Sequence, residues 1–134
     1  MKKIIFLLFI VLIIFSYSAC SNNKNSQAFI LSINDIQSDP LAFTGEIIIN
    51  GVVSVFSPFD EKMFGIKDTA ELLFCKNLDC GSFMLPVKYI GEGAMPKLAD
   101  EVNITGSWKE VEDGFIFEVT EIEVKRNVMA IIES

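Results

Sequence analysis

Two cysteines, Cys75 and Cys80, are the side chains of this sequence whose type and spacing best suit chemistry. Their separation by four residues fits a local disulfide that closes a loop tip in an oxidising compartment, where loop closure contributes ~2 kcal/mol. A metal or haem-iron site is an alternative, in which two thiolates act with nearby carboxylates. Those carboxylates are Asp68, Glu71 and Asp79. A redox-active dithiol is a third interpretation, although thioredoxin-like motifs separate their cysteines by two residues.

The rest of the composition offers little for catalysis. The chain has no histidine, which excludes Ser-His-Asp triads, Cys-His dyads and imidazole-ligated metals. It also lacks a glycine-rich phosphate loop and the G-x-S-x-G and S-x-x-K motifs. The acidic residues fall mostly at predicted turns or on polar strand faces, where we expect them to be solvated. We therefore predict no catalytic residues, no enzyme and no resident cofactor, apart from the haem or metal alternative at the cysteine pair.

The length and charge limit the class of protein and its partners. A chain of 134 residues allows one compact domain. It carries 11 Lys and Arg against 18 Asp and Glu, a net charge of −7. A domain this acidic repels phosphate backbones, so nucleic acid is not a predicted partner. An envelope protein or a small ligand fits the charge better.

The N-terminus has the three parts of a secretory signal. Positively charged Met1-Lys2-Lys3 precedes an uninterrupted apolar run over residues 4–15, and small residues lead to Cys20. Twelve residues of helix extend about 18 Å, which is too short for a ~30 Å hydrocarbon core. The Ser18-Ala19-Cys20 ending resembles the lipobox of bacterial lipoproteins. That resemblance implies cleavage before Cys20, lipidation of Cys20, and anchoring in the cell membrane or outer membrane, facing the periplasm or cell exterior.

This interpretation divides the chain into three segments. Residues 1–19 are the predicted signal peptide, and residues 20–27 are the lipidated cysteine followed by a polar, flexible tether. Residues 28–134 are the predicted folded domain. The domain would therefore lie close to a membrane surface without being inserted in it.

Alternating apolar residues predict a mainly β domain. Five strands are expected near residues 46–55, 63–66, 83–89, 101–109 and 115–124. Gly51 interrupts the first strand, Pro86 marks the third as an edge strand, and a bulge is expected near Thr120 and Glu121. Val55 is expected on the core face of the first strand.

Short helices and one long connection complete the predicted fold. Asp39 and Gly45 bound an N-terminal helix, and a turn or two of helix is expected over residues 95–100. Residues 68–82 are predicted to be an irregular connection. These features together predict a five-stranded OB-fold barrel with a short N-terminal helix and a short helix between strands three and four.

Four segments resemble the barrel of the haem chaperone of cytochrome c maturation. They are Phe64-Gly-Ile-Lys-Asp68, Val87-Lys-Tyr-Ile-Gly91, Met95-Pro96 and Val102-Asn-Ile-Thr-Gly106. The resemblance implies the barrel, a membrane tether and an extracytoplasmic location. Arg126 stands where that family has its haem-linking histidine, so covalent haem attachment is not implied here.

The sequence thus predicts a membrane-anchored, non-catalytic binding module. We expect a ligand between the 68–82 connection and the 91–100 turn. The candidate binding-face residues are Phe64, Tyr89, Met95 and Trp108, although core packing is the alternative role for aromatic residues at alternating positions. The alternative function is haem or metal handling in cytochrome c assembly through Cys75 and Cys80.

Overall fold

A computed structural model describes residues 29–134. The predicted signal peptide, Cys20 and the tether lie outside the described residues, so these assignments stay predictions. Within residues 29–134, no helix is long and apolar enough to cross a membrane.

The described chain forms six strands and a few short helices. The strands are β1 (Ile30–Ser32), β2 (Ile47–Phe56), β3 (Met63–Lys67), β4 (Leu85–Tyr89), β5 (Asp100–Val111) and β6 (Gly114–Asn127). The α-helices are α1 (Ile33–Gln37), α2 (Thr69–Cys75) and α3 (Met129–Ile132), with a 3-10 turn at Pro40–Ala42.

Strands β2 to β6 close into a barrel, which confirms the predicted mainly β OB-fold. The strand order is β1-β2-β3-β4-β6-β5, and β5 pairs back with β2. All barrel pairs are antiparallel except β4 with β6, and β1 adds a parallel strand beside β2.

Strand β2 is long enough to pair with two barrel strands. Its first half pairs with β5 and its second half with β3, and Val52 pairs with both. Gly51 lies at this changeover, where an added Cβ would come within 3.0 Å of the Lys67 carbonyl oxygen. A glycine therefore permits the close approach of β3 that begins the second pairing.

The barrel interior is apolar and continuous. It contains Leu31, Ile33, Ile36, Ile49, Val53, Phe64, Ile66, Leu85, Val87, Tyr89, Val102, Ile104, Phe117 and Val119. Helix α1 contributes Ile33 and Ile36, and it begins with a capping box between Ser32 and Asp35. A second cluster, made of Val52, Leu72, Ala99 and Val128, lies where α2 and α3 pack.

Register shifts in two strand pairs set which side chains face the core. The β5–β6 register shifts between Thr105 and Gly106, which leaves Thr120 unpaired and confirms the predicted bulge. A second shift separates Val53 from Val55 in the pairing with β3. That shift reverses the alternation, so Phe56 packs on the core and Val55 is 45% exposed. The core placement predicted for Val55 is therefore wrong.

The predicted helix positions need correction. Residues 68–82 are not wholly irregular, because Asp68 caps α2 by accepting hydrogen bonds from the backbone N–H groups of Ala70 (2.9 Å) and Glu71 (3.2 Å). No helix forms over residues 95–100, where Ala99 is left-handed with φ of 64°. The Asp100 carboxylate there accepts a 2.7 Å hydrogen bond from the Lys97 N–H, which closes a turn instead. The short helix thus follows the second barrel strand, not the third.

Two further expectations differ in detail. The N-terminal helix was expected from Asp39, but α1 ends at Gln37 and only a 3-10 turn follows Asp39. Strand β4 is not an edge strand, because it pairs with both β3 and β6. The pairing with β6 begins at Val87, so the missing N–H of Pro86 removes no bond from that ladder.

Candidate ligand-binding face

The four predicted binding-face residues do not form one surface. Phe64 and Tyr89 are only 3% and 4% exposed inside the barrel, and the Tyr89 hydroxyl accepts a 2.7 Å hydrogen bond from the Gly93 N–H. Met95 and Trp108 are half-buried and pack against the same core. Phe64 and Trp108 do, however, each line a cleft.

The predicted ligand position between residues 68–82 and 91–100 is filled by the protein itself. Leu72 of α2, Ala99 of the turn and Val128 before α3 are fully buried against one another. The chain's own C-terminal segment thus packs between these two segments, and the ligand position expected there stays a prediction. Two apolar clefts lie elsewhere, one beside β3 and one beside the start of β4.

The first cleft, called the Met84 cleft, has a volume of about 210 Å³. It is lined by Val55, Phe56, Ser57, Pro58, Met63, Phe64, Gly65, Met84 and Pro86. Met84 lies across Gly65 of the neighbouring strand, where an added Cβ would collide with the Met84 thioether. The absence of a side chain at Gly65 therefore creates the space that the flexible Met84 covers.

The second cleft, called the Trp108 cleft, has a volume of about 420 Å³. It is lined by Ser38, Asp39, Pro40, Leu41, Phe83, Leu85, Pro86, Trp108 and Phe115. It lies where β4 and β6 separate, before their pairing begins at Val87 and Phe117. The 3-10 turn that begins at Pro40 forms its other wall.

Trp108 has an unpaired polar atom. Among the described residues, its indole Nε1 is the one buried side-chain nitrogen or oxygen with no hydrogen-bond partner. A buried donor without an acceptor costs about 1–3 kcal/mol. Such groups are rare in folded proteins, and each calls for a specific explanation.

The two clefts meet at Pro86 and together form what we call the apolar face. Leu41, Val55, Met84 and Phe115 on this face are each between 41% and 48% exposed. Its lining comes from all five barrel strands and from the turn at Pro40, and the β2–β3 loop borders it at Ser57 and Pro58. OB-folds bind ligands on the face of their second and third strands, which here are β3 and β4 and supply part of this lining.

Charged groups border the apolar face. Lys88 forms a 3.3 Å ion pair with Asp60 beside the Met84 cleft. The pKa of Asp60 lies below its ordinary value, because the Lys62 backbone N–H and the Lys88 ammonium both donate to the carboxylate. Asp39 lines the Trp108 cleft and makes no capping hydrogen bond to the turn that follows it.

Cys75 and Cys80 are joined by a disulfide, with a Cα–Cα distance of 6.2 Å. The bridge closes the C-terminal end of α2, where Lys76 is left-handed with φ of 53°. Cys80 packs against the second cluster, and neither cysteine lines a cleft of the apolar face. Within residues 29–134, no group of three or more Cys, Asp or Glu side chains could hold a metal ion.

Several residues of the apolar face were missed at the sequence level. Met84 and Pro86 alternate with core residues, so the pattern assigns both to the solvent side, where polar residues are usual. Two apolar residues at outward positions were thus a usable signal. The sequence holds no such signal for Leu41 and Phe115, because their proximity to β4 depends on how the barrel closes.

Comparisons with known proteins show similarity of fold only. No protein-family model matches the chain, and no curated protein matches it. A putative aspartyl-tRNA synthetase from Leishmania major Friedlin is structurally similar over 79% of this chain, with a TM-score of 0.50 and 13% identity. The matched part is 22% of the synthetase chain. The telomere capping protein Ten1 from Saccharomyces pombe has a TM-score of 0.45 and 18% identity over 72% of this chain and 80% of its own.

The fold and the clefts define the class of this protein. It is an OB-fold domain with two apolar clefts that share Pro86 as a lining residue. At 13% identity, the likeness to the synthetase concerns the fold alone.

Proposed function

We propose that this protein is a non-catalytic binding module whose ligand docks on the apolar face. The observation that carries the proposal is the pair of apolar clefts that meet at Pro86. Soluble domains rarely keep large apolar patches exposed to water unless something covers them. Burying such a patch yields roughly 25 cal/mol per Å² of apolar surface, which is a sufficient source of affinity.

The arrangement of carboxylates supports a role without catalysis. Asp68 caps a helix, Asp100 closes a turn, and Glu101 pairs with Arg126 at 2.6 Å. These groups are engaged with the fold itself. Together with the absence of histidine, they leave no evident pair of a nucleophile and its base.

The proposed setting is the cell envelope. The signal-like N-terminus and Cys20 support a lipid anchor in the cell membrane or outer membrane, with the domain facing the periplasm or cell exterior. The polar tether would hold the apolar face near the membrane surface. We propose an envelope protein or a small ligand as the partner, since the net charge of −7 disfavours nucleic acid.

Haem or metal handling is the second candidate. The observation in its favour is the adjacency of the two cysteines at an exposed helix end. Cys75 and Cys80 could ligate only after the disulfide is reduced, because a bridged sulfur is not a thiolate. Titrating the reduced protein with Zn²⁺ or ferric haem, with the Cys75→Ser/Cys80→Ser variant as control, tests this candidate. An absorbance or mass change that needs both thiols would support it, and identical behaviour of the two proteins would exclude it.

Photo-crosslinking in intact cells tests the binding-module proposal. A photoreactive phenylalanine replaces Met84 in the cleft, or the exposed Ala130 of α3 as a matched control. We expect a discrete adduct at residue 84, identified by mass spectrometry, that is absent at residue 130. A Phe115→Glu substitution, which places a charge on the same face, should abolish it. Equal adducts at both positions, or none at residue 84, would contradict the proposal.

A further inference from the structure

We propose that the Cys75–Cys80 disulfide is a reducible clasp that holds a flap against β2. The flap consists of residues 69–82, which include α2 and the bridge, together with residues 128–132, which include α3. Reduction by a dithiol loosens the flap while the barrel stays folded. This proposal goes beyond the proposed function and does not depend on it, because neither cysteine lines the apolar face.

The flap has a small apolar cluster of its own. It packs through the second cluster, made of Val52, Leu72, Ala99 and Val128, which is distinct from the barrel interior. Val52 belongs to this second cluster, whereas its neighbour Val53 packs in the barrel interior. Adjacent side chains of a strand point to opposite faces, so the flap covers the face of β2 that is turned away from the interior. The flap can therefore leave β2 without opening the barrel.

Few side chains anchor the two helices of the flap. Leu72 is the one buried residue of α2, and α3 has none. Phe74, in the last turn of α2, is 92% exposed. Helices of seven and four residues depend on tertiary contacts for their stability. The flap is therefore the kind of small unit that opens locally, at a lower free-energy cost than global unfolding.

The bridge supplies an anchor that packing does not. It joins the end of α2 to Cys80, five positions later, and both Cys80 and Leu78 pack against the second cluster. Closing this loop restricts the open flap, so loss of the bridge should raise the open population roughly thirtyfold, which is about 2 kcal/mol at 1.4 kcal/mol per tenfold change. Opening uncovers Val52 and the space between residues 68–82 and 91–100.

The two sulfurs differ in access. Cys75 is exposed, whereas Cys80 is partly buried against the second cluster. A thiolate of the reductant therefore attacks the Cys75 sulfur. A disulfide forms between the reductant and Cys75, the bond between the two cysteines breaks, and Cys80 leaves as a thiolate that takes up a proton. The second thiol of the reductant then attacks its own bridged sulfur, which releases Cys75 as a thiol and leaves the reductant as a disulfide, so that two electrons have passed to the bridge.

Hydrogen exchange followed by mass spectrometry tests the clasp. The full chain in detergent micelles is compared before and after reduction with dithiothreitol, at several urea concentrations below the unfolding transition. We expect the amides of residues 72–75 and 128–132 to exchange roughly thirtyfold faster after reduction, at rates that do not depend on urea, as for local opening. The amides of residues 102–104 in β5 should exchange more slowly in both states, at rates that rise with urea. The Cys75→Ser/Cys80→Ser variant should match the reduced protein and should not respond to dithiothreitol.

Trapping identifies the attacked sulfur. The oxidised full chain is incubated with glutathione, quenched with excess N-ethylmaleimide and digested with trypsin, which cleaves after Lys76 between the two cysteines. We expect glutathione on the peptide that contains Cys75 and the maleimide on the peptide that contains Cys80. If the bridge closes again too fast for an adduct to accumulate, reaction with dithionitrobenzoate decides. Cys80→Ser, which keeps Cys75, should then react roughly tenfold faster than Cys75→Ser, after subtraction of the signal of the double variant.

Three results would overturn the proposal. Equal exchange of the flap amides in the oxidised and reduced protein would mean that the bridge does not hold the flap. A common, urea-dependent rate for flap and barrel amides after reduction would mean that the bridge acts on global stability alone. Glutathione on Cys80, or a faster reaction of Cys75→Ser, would show that the thiolate attacks the other sulfur.

Discussion

The indole of Trp108 meets the ring of Phe117 edge to face, with centroids 5.1 Å apart and planes at 71°. Phe117 is fully buried in the barrel, so this contact fixes the indole against the core. The Trp108 side chain thus packs against the core and also lines the Trp108 cleft. A ligand in the Trp108 cleft therefore meets a rigid ring, while the indole Nε1 itself is buried.

Glycine-to-alanine substitutions should separate the binding face from the fold. A Cβ at Gly65 meets the flexible end of Met84, so Gly65→Ala should cost about 1 kcal/mol or less while obstructing the Met84 cleft. A Cβ at Gly106 meets the backbone carbonyl of Glu118, which cannot move aside, so Gly106→Ala should cost about 3 kcal/mol or more. Urea unfolding and the crosslinking yield at residue 84 measure the two effects. Equal stability losses would contradict this account.

Removing the cap of α2 should destabilise the domain. Asp68 is 3% exposed and accepts hydrogen bonds from two backbone N–H groups at the start of the helix. We expect Asp68→Ala to lower the free energy of unfolding by about 1–2 kcal/mol. Asp39→Ala is the matched control, because Asp39 precedes a helical turn without capping it, and it should cost less than 0.5 kcal/mol. The midpoints of urea unfolding at pH 7, measured for Asp68→Ala and Asp39→Ala, test this difference.

Acid should remove the stabilisation that Asp35 provides. The Ser32 backbone N–H (2.7 Å) and hydroxyl (2.8 Å) donate to its carboxylate, which lowers the pKa of Asp35. A lowered folded-state pKa means that this contribution is present above the unfolded pKa of about 3.9 and is lost as pH falls through the folded value. The decline in stability below about pH 4 should therefore be smaller in Asp35→Asn than in the wild type. If the stability of both proteins falls equally below about pH 4, the capping box does not cause the loss of stability in acid.

Loss of the disulfide should affect stability and not ligand binding. We expect Cys75→Ser/Cys80→Ser to lower the free energy of unfolding by ~2 kcal/mol through loop closure. Binding at the apolar face should be unchanged, because neither cysteine lines it. The crosslinking yield at residue 84 and urea unfolding of the oxidised wild type and the variant test both statements. A large loss of affinity would indicate that the bridge shapes the face after all.

The lipid anchor should depend on Cys20. In Cys20→Ala, the protein is expected to leave the membrane fraction, because the predicted lipid is attached to the Cys20 sulfur. Fractionation with immunodetection, together with intact-mass measurement of the wild type, tests this. Retention of the variant in membranes would mean that the apolar N-terminal segment, and not a lipid, is the anchor.

Much of the fold could be read from local patterns. Alternation over residues 46–56 and 101–109, the glycine at position 51 and the bulge near Thr120 predict barrel strands, because each is a property of neighbouring residues. Helix α2 was also readable in part, since Asp68 followed by Glu71 is a helix-start pattern. The rest of residues 68–82, with its two cysteines, has no helical periodicity and is typical of a loop.

Only the tertiary structure determined the apolar face. Leu41, Pro86 and Phe115 are far apart in sequence and line one cleft because the barrel closes β4 against β6 and folds the N-terminal turn over that junction. The exposure of Val55 depends on a bulge against β3, which is a relation between two strands and not a property of either. The amino-acid sequence by itself therefore determined the strands and the apolar interior, whereas the envelope location stays a prediction. Strand pairing decided which apolar residues remained outside, because side-chain direction follows register and register is set by distant parts of the chain.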